Sequence, residues 1–377
     1  MCILWVLFYL GGIKLKNETR YIFSTGDLFQ KDFSIQFKGD KGNTYIPIKD
    51  VKELFCFNDV TITTKLLTAL SKANIVLHIY DYYGHYAGTY FPKRYLLSGR
   101  LVVEQAIKFE TERNVIAKNI VKGIARNIHM VLYHYYRHGK NQLKEYLDWL
   151  KNIGELIEKC KNVNQIMMIE GDIWARFYAT FKYILPEDFV LNKRVRRPPD
   201  NPINALISFG NSILYSKTIT QLYHTHLNQE ISFLHSPSDS RFSLSLDISE
   251  VFKPVIVFKT IFDCINNRKL SVEKHFRKEY NYCLLNEEGK KIFVSNIEDR
   301  LNSVFDHPKL KRKITYKQAI KIDGYKLIKW IMEDKEFVPF SLEDKQWIKL
   351  LILIMLFYFM MLMKRGWIRF LKFVKNI

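Results

Sequence analysis

The chain has 377 residues, 48% of them hydrophobic, which predicts a globular protein with enough apolar side chains for two cores. Lys and Arg number 58 against 38 Asp and Glu, and the formal charge of +20 favours a polyanionic partner, with nucleic acid first, over a small neutral substrate. Charge alone does not decide this, because AT-biased genomes also produce lysine-rich chains.

The cysteines and the N-terminus bear on the cellular compartment. Five cysteines lie far apart without a Cys-x-x-Cys pair, so the sequence predicts neither a zinc site nor a disulfide framework, and a reducing cytoplasm fits best. The apolar start MCILWVLFYLGG lacks a preceding basic region and a small-residue cleavage site, unlike a signal peptide. We therefore interpret residues 1–17 as an upstream extension.

The C-terminus carries an almost wholly apolar run from Trp347 to Met363, followed by the basic KRGWIRFLKFVK. A membrane span needs roughly 17 to 25 such residues, and Lys349 interrupts this run near its start. A buried terminal helix or a sequence artefact is at least as good an interpretation as a membrane anchor. We expect residues 341–377 to be an apolar and basic appendage, with membrane association disfavoured but open.

Residues 18–95 have the pattern of a small β domain. Short apolar runs alternate with turn signals between 21 and 91, as is typical of strands. The alternation of Phe33, Ile35 and Phe37, together with the loop at 39–43, indicates a small antiparallel sandwich or barrel with one short helix at 64–72.

Residues 96–340 have a helical period instead. Apolar residues three and four apart from Val115 to Leu132 predict one face of a long helix. Further helices are predicted at 142–159, 165–185, 202–226, 244–266 and 319–332, and a β-hairpin is predicted in CLLNEEGKKIFV with Gly289 at its turn. The predicted fold class is therefore α+β, a small antiparallel β domain followed by a larger all-α domain.

A proline-rich connection interrupts the helices at LNKRVRRPPDNP. Its prolines forbid a continuous helix, so its basic residues are expected on an exposed segment. Such residues are candidates for phosphate contacts. They are Lys193, Arg194, Arg196 and Arg197.

Acidic and imidazole groups occur where an apolar pattern does not need them, at Glu170, His235, Asp247 and Glu250. Each has an ordinary structural interpretation: Glu170 as a solvated helix residue, His235 as a loop histidine, and the other two as first-turn acids favoured by the helix dipole. Asp247 and Glu250, however, are three apart on a predicted helix and project from one face, next to the loop that carries His235.

One cation could be coordinated by these groups. Oxygen ligands with a single imidazole suit Mg²⁺ or Mn²⁺ better than zinc. A carboxylate-bound ion beside a basic surface indicates phosphodiester chemistry. Spacing alone does not supply Glu170 as a partner.

Four further segments are distinctive: MMIEGDIWARFY, RRPPDNPINALISFGNSILY, FLHSPSDSRFSLSLDISEVFKP and NEEGKKIFVSNIEDRL. They resemble the CRISPR-associated integrase-nuclease of the spacer-adaptation module, the first-numbered Cas protein. The resemblance covers about residues 21–340, and its strand-rich start, which includes DYYGHYAGTYFP, is similar to the variants found with type I systems.

The resemblance implies a metal-dependent enzyme of spacer acquisition. Glu170, His235 and Glu250 would bind the divalent metal, with Asp247 as the accompanying catalytic carboxylate, although members of the family vary in which helix acid is the third ligand. The catalytic domain would span 96–340. The implied partners are DNA, a second copy of the chain and the small second-numbered Cas protein.

The implied reaction is transesterification, in which the 3′-hydroxyl of a prespacer attacks a repeat phosphodiester in the CRISPR array. A structure-selective metal-dependent nuclease remains the alternative from the same reaction class. A non-catalytic basic DNA-binding protein remains the alternative from another class.

Overall fold

The computed structural model describes residues 18–40, 42–92, 97–196, 198–237, 242–279, 282–307 and 310–342. The predicted extension at 1–17 and nearly all of the predicted appendage at 341–377, including its apolar run, lie outside the described residues. Among the residues that are described, no helix is both long and apolar enough to cross a membrane.

The first part of the chain forms two four-stranded sheets, with strand orders β1-β5-β7-β8 and β4-β3-β2-β6. One helix, α1, lies at the predicted position between β6 and β7 and is capped by Thr63, whose hydroxyl accepts a hydrogen bond from the Leu66 N–H. The elements are β1 (Thr19–Ile22), β2 (Gly26–Lys31), β3 (Ser34–Gly39), β4 (Gly42–Pro47), β5 (Glu53–Cys56), β6 (Val60–Ile62), α1 (Thr64–Ala73), β7 (Val76–Tyr80) and β8 (Tyr86–Tyr90).

Strand direction in these sheets is mixed, which corrects the predicted antiparallel arrangement. β2–β3, β3–β4 and β7–β8 are antiparallel, as predicted, whereas β1–β5, β5–β7 and β2–β6 are parallel. The helix α1 explains one of these pairs, because it returns the chain to the end of the sheet at which β5 began.

The second part of the chain is mainly helical, and with the preceding sheets it confirms the α+β class. Two short antiparallel strand pairs, β9–β10 and β11–β12, lie among these helices, so this part is not all-α as predicted. The elements are α2 (Gly99–Arg137), α3 (Lys144–Lys159), α4 (Val163–Ala179), α5 (Phe181–Ile184), α6 (Pro202–Tyr223), α7 (Ser243–Lys253), α8 (Lys259–Asn266), α9 (Val272–His275), β9 (Phe276–Glu279), β10 (Tyr282–Leu285), α10 (Glu287–Asn302), β11 (Val304–His307), β12 (Arg312–Thr315) and α11 (Tyr316–Glu333).

The predicted helix at 244–266 has a π-helical turn, Pro254–Phe258, between α7 and α8. Proline has no backbone N–H to donate to the preceding turn, so the regular α-helical hydrogen bonding cannot continue through Pro254. The predicted helix at 165–185 likewise divides at Thr180 into α4 and α5.

The predicted hairpin at Gly289 is wrong, because β10 ends at Leu285 and α10 begins at Glu287. The side chain of Asn286 caps the helix by accepting a hydrogen bond of 2.9 Å from the Gly289 N–H. Gly289 serves close packing, since a Cβ at this position would lie 2.5 Å from the carbonyl oxygen of His275.

The sheet β1-β5-β7-β8 meets α6 through a buried ionic cluster. Lys217 of α6 donates to Glu53 Oε2 at 2.8 Å and to Thr19 Oγ1 at 2.9 Å, and it also pairs with Glu298 of α10. The side chains of Lys217 and Glu53 are 0% exposed, so their charges depend on one another instead of water. This cluster connects the β sheet to α6 and α10 of the helical part.

Candidate metal and active site

The buried carboxylate of Asp247, near the start of α7, organises the loop that precedes this helix. It accepts hydrogen bonds from the backbone N–H groups of Phe233, Leu234 and His235 at 2.7, 2.8 and 3.0 Å. It also accepts from Nδ1 of His235 at 2.8 Å. Asp247 is 0% exposed, and both of its carboxylate oxygens accept hydrogen bonds from the loop.

His235 is oriented as metal-binding histidines usually are. Because its Nδ1 donates to Asp247, the neutral ring presents Nε2 as the acceptor, and no described residue hydrogen-bonds that atom. Burial alone would lower the pKa of His235, but the hydrogen bond to Asp247 and the charges of Asp247, Glu250 and Glu170 raise it. Three carboxylates therefore act on this imidazole.

Glu170 lies on α4, and its Oε1 accepts a 2.6 Å hydrogen bond from the indole N–H of Trp174, one turn later. Burial and the negative charge of Glu250 raise the pKa of Glu170 to about 7, against the opposing charges of His235 and Lys253. The structure thus brings Glu170 to the same place as His235 and Glu250, from a distant part of the sequence.

Glu250 lies one turn after Asp247 on α7 and is 5% exposed. Its carboxylate pairs with Lys253, three residues further along the same helix. The positive charge of Lys253 therefore acts on both Glu250 and Glu170. Within the described part of the chain, the carboxylate of Glu250 pairs only with Lys253 and, unlike that of Asp247, accepts no hydrogen bond from a backbone N–H. It is therefore freer to turn towards an ion.

The side chains of Glu170, His235 and Glu250 are ligand types that fit Mg²⁺ or Mn²⁺, although they are not arranged in a closed coordination shell. Among the described residues, no three His, Cys, Asp or Glu side chains are close enough to hold a metal as they stand. Glu170 is turned to Trp174 and Glu250 to Lys253, which accounts for the open arrangement. Two carboxylates and one free imidazole nitrogen are the ligands that Mn²⁺ accepts and Mg²⁺ tolerates.

The predicted role of Asp247 as a supporting carboxylate leads to a stability test. We expect Asp247→Asn to lower the free energy of unfolding by about 1–3 kcal/mol, because an amide NH₂ would face backbone N–H donors that are buried. Glu250→Gln, which disturbs no backbone hydrogen bond, is the matched control and should change stability less. Urea unfolding of both variants measures this, and equal losses would contradict the distinction between the two acids.

The basic residues of the connection between α5 and α6 differ in solvent exposure. Lys193 and Arg196 are exposed, whereas Arg194 is half-buried and donates to Asn204 Oδ1 at 3.0 Å and Ser208 Oγ at 2.9 Å. Arg194 therefore fixes the connection to α6 and is not on an exposed segment as predicted. Arg197 lies outside the described residues.

Tyr178 of α4 lies near both this connection and Glu250. Burial is the main cause that raises the pKa of Tyr178 to about 12, and the charges of Arg194, Glu250 and Arg196 all act on the same hydroxyl. The ring of Tyr178 also stacks on Trp174 at 6.0 Å between centroids. The charge of Arg196, an exposed residue of the connection, and that of Glu250 on α7 thus act on the same hydroxyl.

Comparison with known proteins decides the family. The sequence model of the CRISPR associated protein Cas1 family matches residues 20–299. A CRISPR-associated protein Cas1 of Methanobrevibacter ruminantium is 40% identical over 329 residues, which cover 86% of this chain and 99% of the relative. This chain belongs to the Cas1 family. The predicted resemblance is confirmed.

Other Cas1 proteins are similar to this chain in sequence and in structure. A CRISPR-associated endonuclease Cas1 of Fusobacterium nucleatum is 37% identical over 339 residues, 89% of this chain and 99% of the relative. The solved structure of a Cas1 protein from Thermotoga maritima is 33% identical, has a TM-score of 0.75 and covers 87% of this chain and 100% of its own. A casposase bound to its integration product has the same fold, with a TM-score of 0.75 at 19% identity.

Sequence reasoning missed the side chains that hold these Cas1 residues in place. Trp174 follows Glu170 by four residues on one helix, so helical spacing could have indicated that pair. Lys253 follows Glu250 by three and carried the same signal. Arg113, which contacts the His235 loop from 120 residues away, carried none.

Proposed function

We propose that this chain is the integrase of a CRISPR adaptation module and inserts short DNA fragments into the array by metal-dependent transesterification. The nuclease class is the one that Cas1 relatives at 37% identity carry in their names. The arrangement that best supports the proposal is the Asp247–His235 pair, which occupies Nδ1 and leaves Nε2 available, while the charges of Glu170 and Glu250 act on the same imidazole.

In this proposal, Glu170, His235 and Glu250 hold one Mg²⁺ or Mn²⁺. Such an ion would polarise the scissile phosphate and stabilise the charge on the attacking and departing oxygens. Asp247 holds the His235 ring in the ligating tautomer. When Glu250 turns from Lys253 to the ion, Lys253 leaves a positive charge beside the site, which favours the approach of a phosphate.

The proposed partners are DNA, a second copy of the chain and the small second-numbered Cas protein, in the cytoplasm. In a solved Cas6-RT-Cas1–Cas2 complex, 37% of one chain has this fold and matches 89% of the present chain, with a TM-score of 0.76 at 21% identity. That likeness concerns the fold alone, and the small Cas partner is proposed for this chain by analogy with that complex. The formal charge of +20 supports a polyanionic substrate independently.

An assay for joined products tests the proposal. The chain, its small Cas partner, Mn²⁺ or Mg²⁺, a prespacer with free 3′-hydroxyls and a plasmid carrying the repeat are incubated together. Prespacer covalently joined to the plasmid is the expected product. Nicks without joining would indicate a plain nuclease, and an unchanged plasmid together with DNA binding would indicate a non-catalytic binding protein.

Salt dependence separates the two described arginines of the basic connection. We expect Arg196→Ala to weaken DNA binding and to reduce the slope of log affinity against log salt by about 1, because an exposed arginine that neutralises a phosphate releases about one counterion. Fluorescence anisotropy with labelled duplex at several salt concentrations measures the slope.

Arg194→Ala is the comparison variant. Its hydrogen bonds to Asn204 and Ser208 predict a loss of thermal stability with little change in the salt slope. A slope unchanged by Arg196→Ala but reduced by Arg194→Ala would contradict the assignment of these two roles.

A further inference from the structure

One guanidinium, that of Arg113 on α2, contacts the carbonyl side of the His235 loop. Its Nε donates to the Phe233 carbonyl at 2.8 Å, and its Nη2 donates to the carbonyls of Leu234 and His235 at 3.1 and 3.2 Å. The N–H groups of the same three residues donate to Asp247. Arg113 and Asp247 thus hold consecutive peptide groups of one loop between opposite charges.

The direction of Arg113 is fixed by its own helix. Residue Glu112 departs from helical geometry, with φ −130° and ψ 15°, so α2 bends immediately before Arg113. Lys108 pairs with Glu112 across the bend and also with Asp334 at the end of α11. The guanidinium carbon lies 4.8 Å from the ring centroid of Phe109, one turn earlier.

Another α2 residue holds the chain just before this loop. Gln105 is 0% exposed, donates to the carbonyls of Asn228 and Ile231 at 2.9 Å each, and accepts from the Asn228 N–H at 3.1 Å. The loop therefore rests along α2 from Asn228 to His235. Only the last part, held by Arg113, carries a candidate metal ligand.

We propose that Arg113 is a positioning residue that sets where Nε2 of His235 stands relative to Glu170 and Glu250. This rests on the proposed function. Arg113 directs all of its hydrogen bonds in the described structure to the loop, so it acts through His235 and not on DNA. The planar guanidinium reaches three carbonyls at once, which a lysine ammonium on a flexible stem does not reproduce.

Binding of Mn²⁺ alone tests this, without any catalytic readout. In the full-length chain, we expect Arg113→Met to weaken Mn²⁺ binding by about tenfold to a hundredfold, as the loss of a group that orients a metal ligand does. Arg113→Lys keeps the positive charge and the aliphatic part of the side chain, so it should fold, but its Mn²⁺ affinity should also fall. The electron paramagnetic resonance signal of free Mn²⁺ gives the dissociation constant.

Arg126→Met is the matched control, because Arg126 is an exposed arginine on the same helix. It should bind Mn²⁺ like the wild-type chain. DNA affinity, measured by anisotropy, should stay within about threefold for Arg113→Lys, since the hydrogen bonds of this partly exposed side chain are directed to the loop.

A double-mutant cycle with His235→Ala separates positioning from general structural support. If Arg113 acts through His235, then in the His235→Ala background Arg113→Met should change the remaining Mn²⁺ affinity by less than about twofold. A further tenfold loss there would overturn the proposal, as would wild-type Mn²⁺ affinity in Arg113→Met and Arg113→Lys. Absence of Mn²⁺ binding by the wild-type chain would instead overturn the proposed function, and with it the role of Arg113.

Discussion

Glu170→Ala and His235→Ala should each reduce strand joining by at least about a hundredfold. A metal ion that stabilises developing charge in phosphodiester chemistry contributes several kcal/mol to the transition state, and about 2.7 kcal/mol corresponds to a hundredfold in rate. Glu170 lies on α4 and His235 in the loop before α7. Loss of strand joining in both variants is the result expected if these two elements share one site.

DNA affinity should remain unchanged or rise slightly in Glu170→Ala, because the variant removes a negative charge from a surface that must approach phosphate. Glu155→Ala is the control, since Glu155 is an exposed glutamate on the neighbouring helix α3. It should join DNA at the wild-type rate. Wild-type joining by both Glu170→Ala and His235→Ala, with Mn²⁺ and Mg²⁺ supplied, would exclude these residues from the chemistry.

Lys217→Met should lower the free energy of unfolding by about 3–5 kcal/mol. The side chains of Lys217 and Glu53 are 0% exposed and that of Glu298 is 6% exposed, so removing the cation leaves two buried carboxylates without their main counter-charge. Lys317, 3.3 Å from Glu53, compensates only part of that loss. Urea unfolding followed by circular dichroism gives the free energies.

The same substitution should cost much less in a Glu53→Gln, Glu298→Gln background, because no uncompensated charge then remains. Lys151→Met is the surface control: its pair with Asp148 is more than half exposed on the lysine side, at 53%, and should contribute less than about 1 kcal/mol. Equal effects of Lys217→Met and Lys151→Met would show that the buried cluster does not stabilise the contact between sheet and helices.

The strand-rich first part and the main helices followed from apolar periodicity, but strand direction, the short strand pairs among the helices and the start of α10 did not. The succession β5, α1, β7 is a strand–helix–strand pattern that favours parallel pairing, and the frequent turn signals concealed it. At Asn286 the sequence NEEG contains a cap residue followed by two acids, a helix-start signal that Gly289 made resemble a hairpin turn. The first error gave turn signals more weight than the strand–helix–strand succession, and the second gave Gly289 more weight than the cap residue Asn286.

The candidate site was predictable in part. Asp247 and Glu250, three residues apart, were expected on one helix face beside His235, and the structure places them so. Their different roles were not predictable, because the roles depend on which acid meets the three N–H groups of the loop. The approach of Glu170 and Arg113 depends on how α4 and α7 both pack against α2, which no local pattern encodes.

Binding of one divalent ion by Glu170, His235 and Glu250 underlies all of the proposed chemistry. A crystal of the chain soaked in Mn²⁺, with diffraction data collected at the manganese absorption edge, tests it directly. We expect one anomalous peak within about 2.6 Å of a carboxylate oxygen of Glu170, a carboxylate oxygen of Glu250 and Nε2 of His235, with Asp247 still hydrogen-bonded to Nδ1. A peak bound by Asp247 in place of His235, or no peak among these residues, would contradict it.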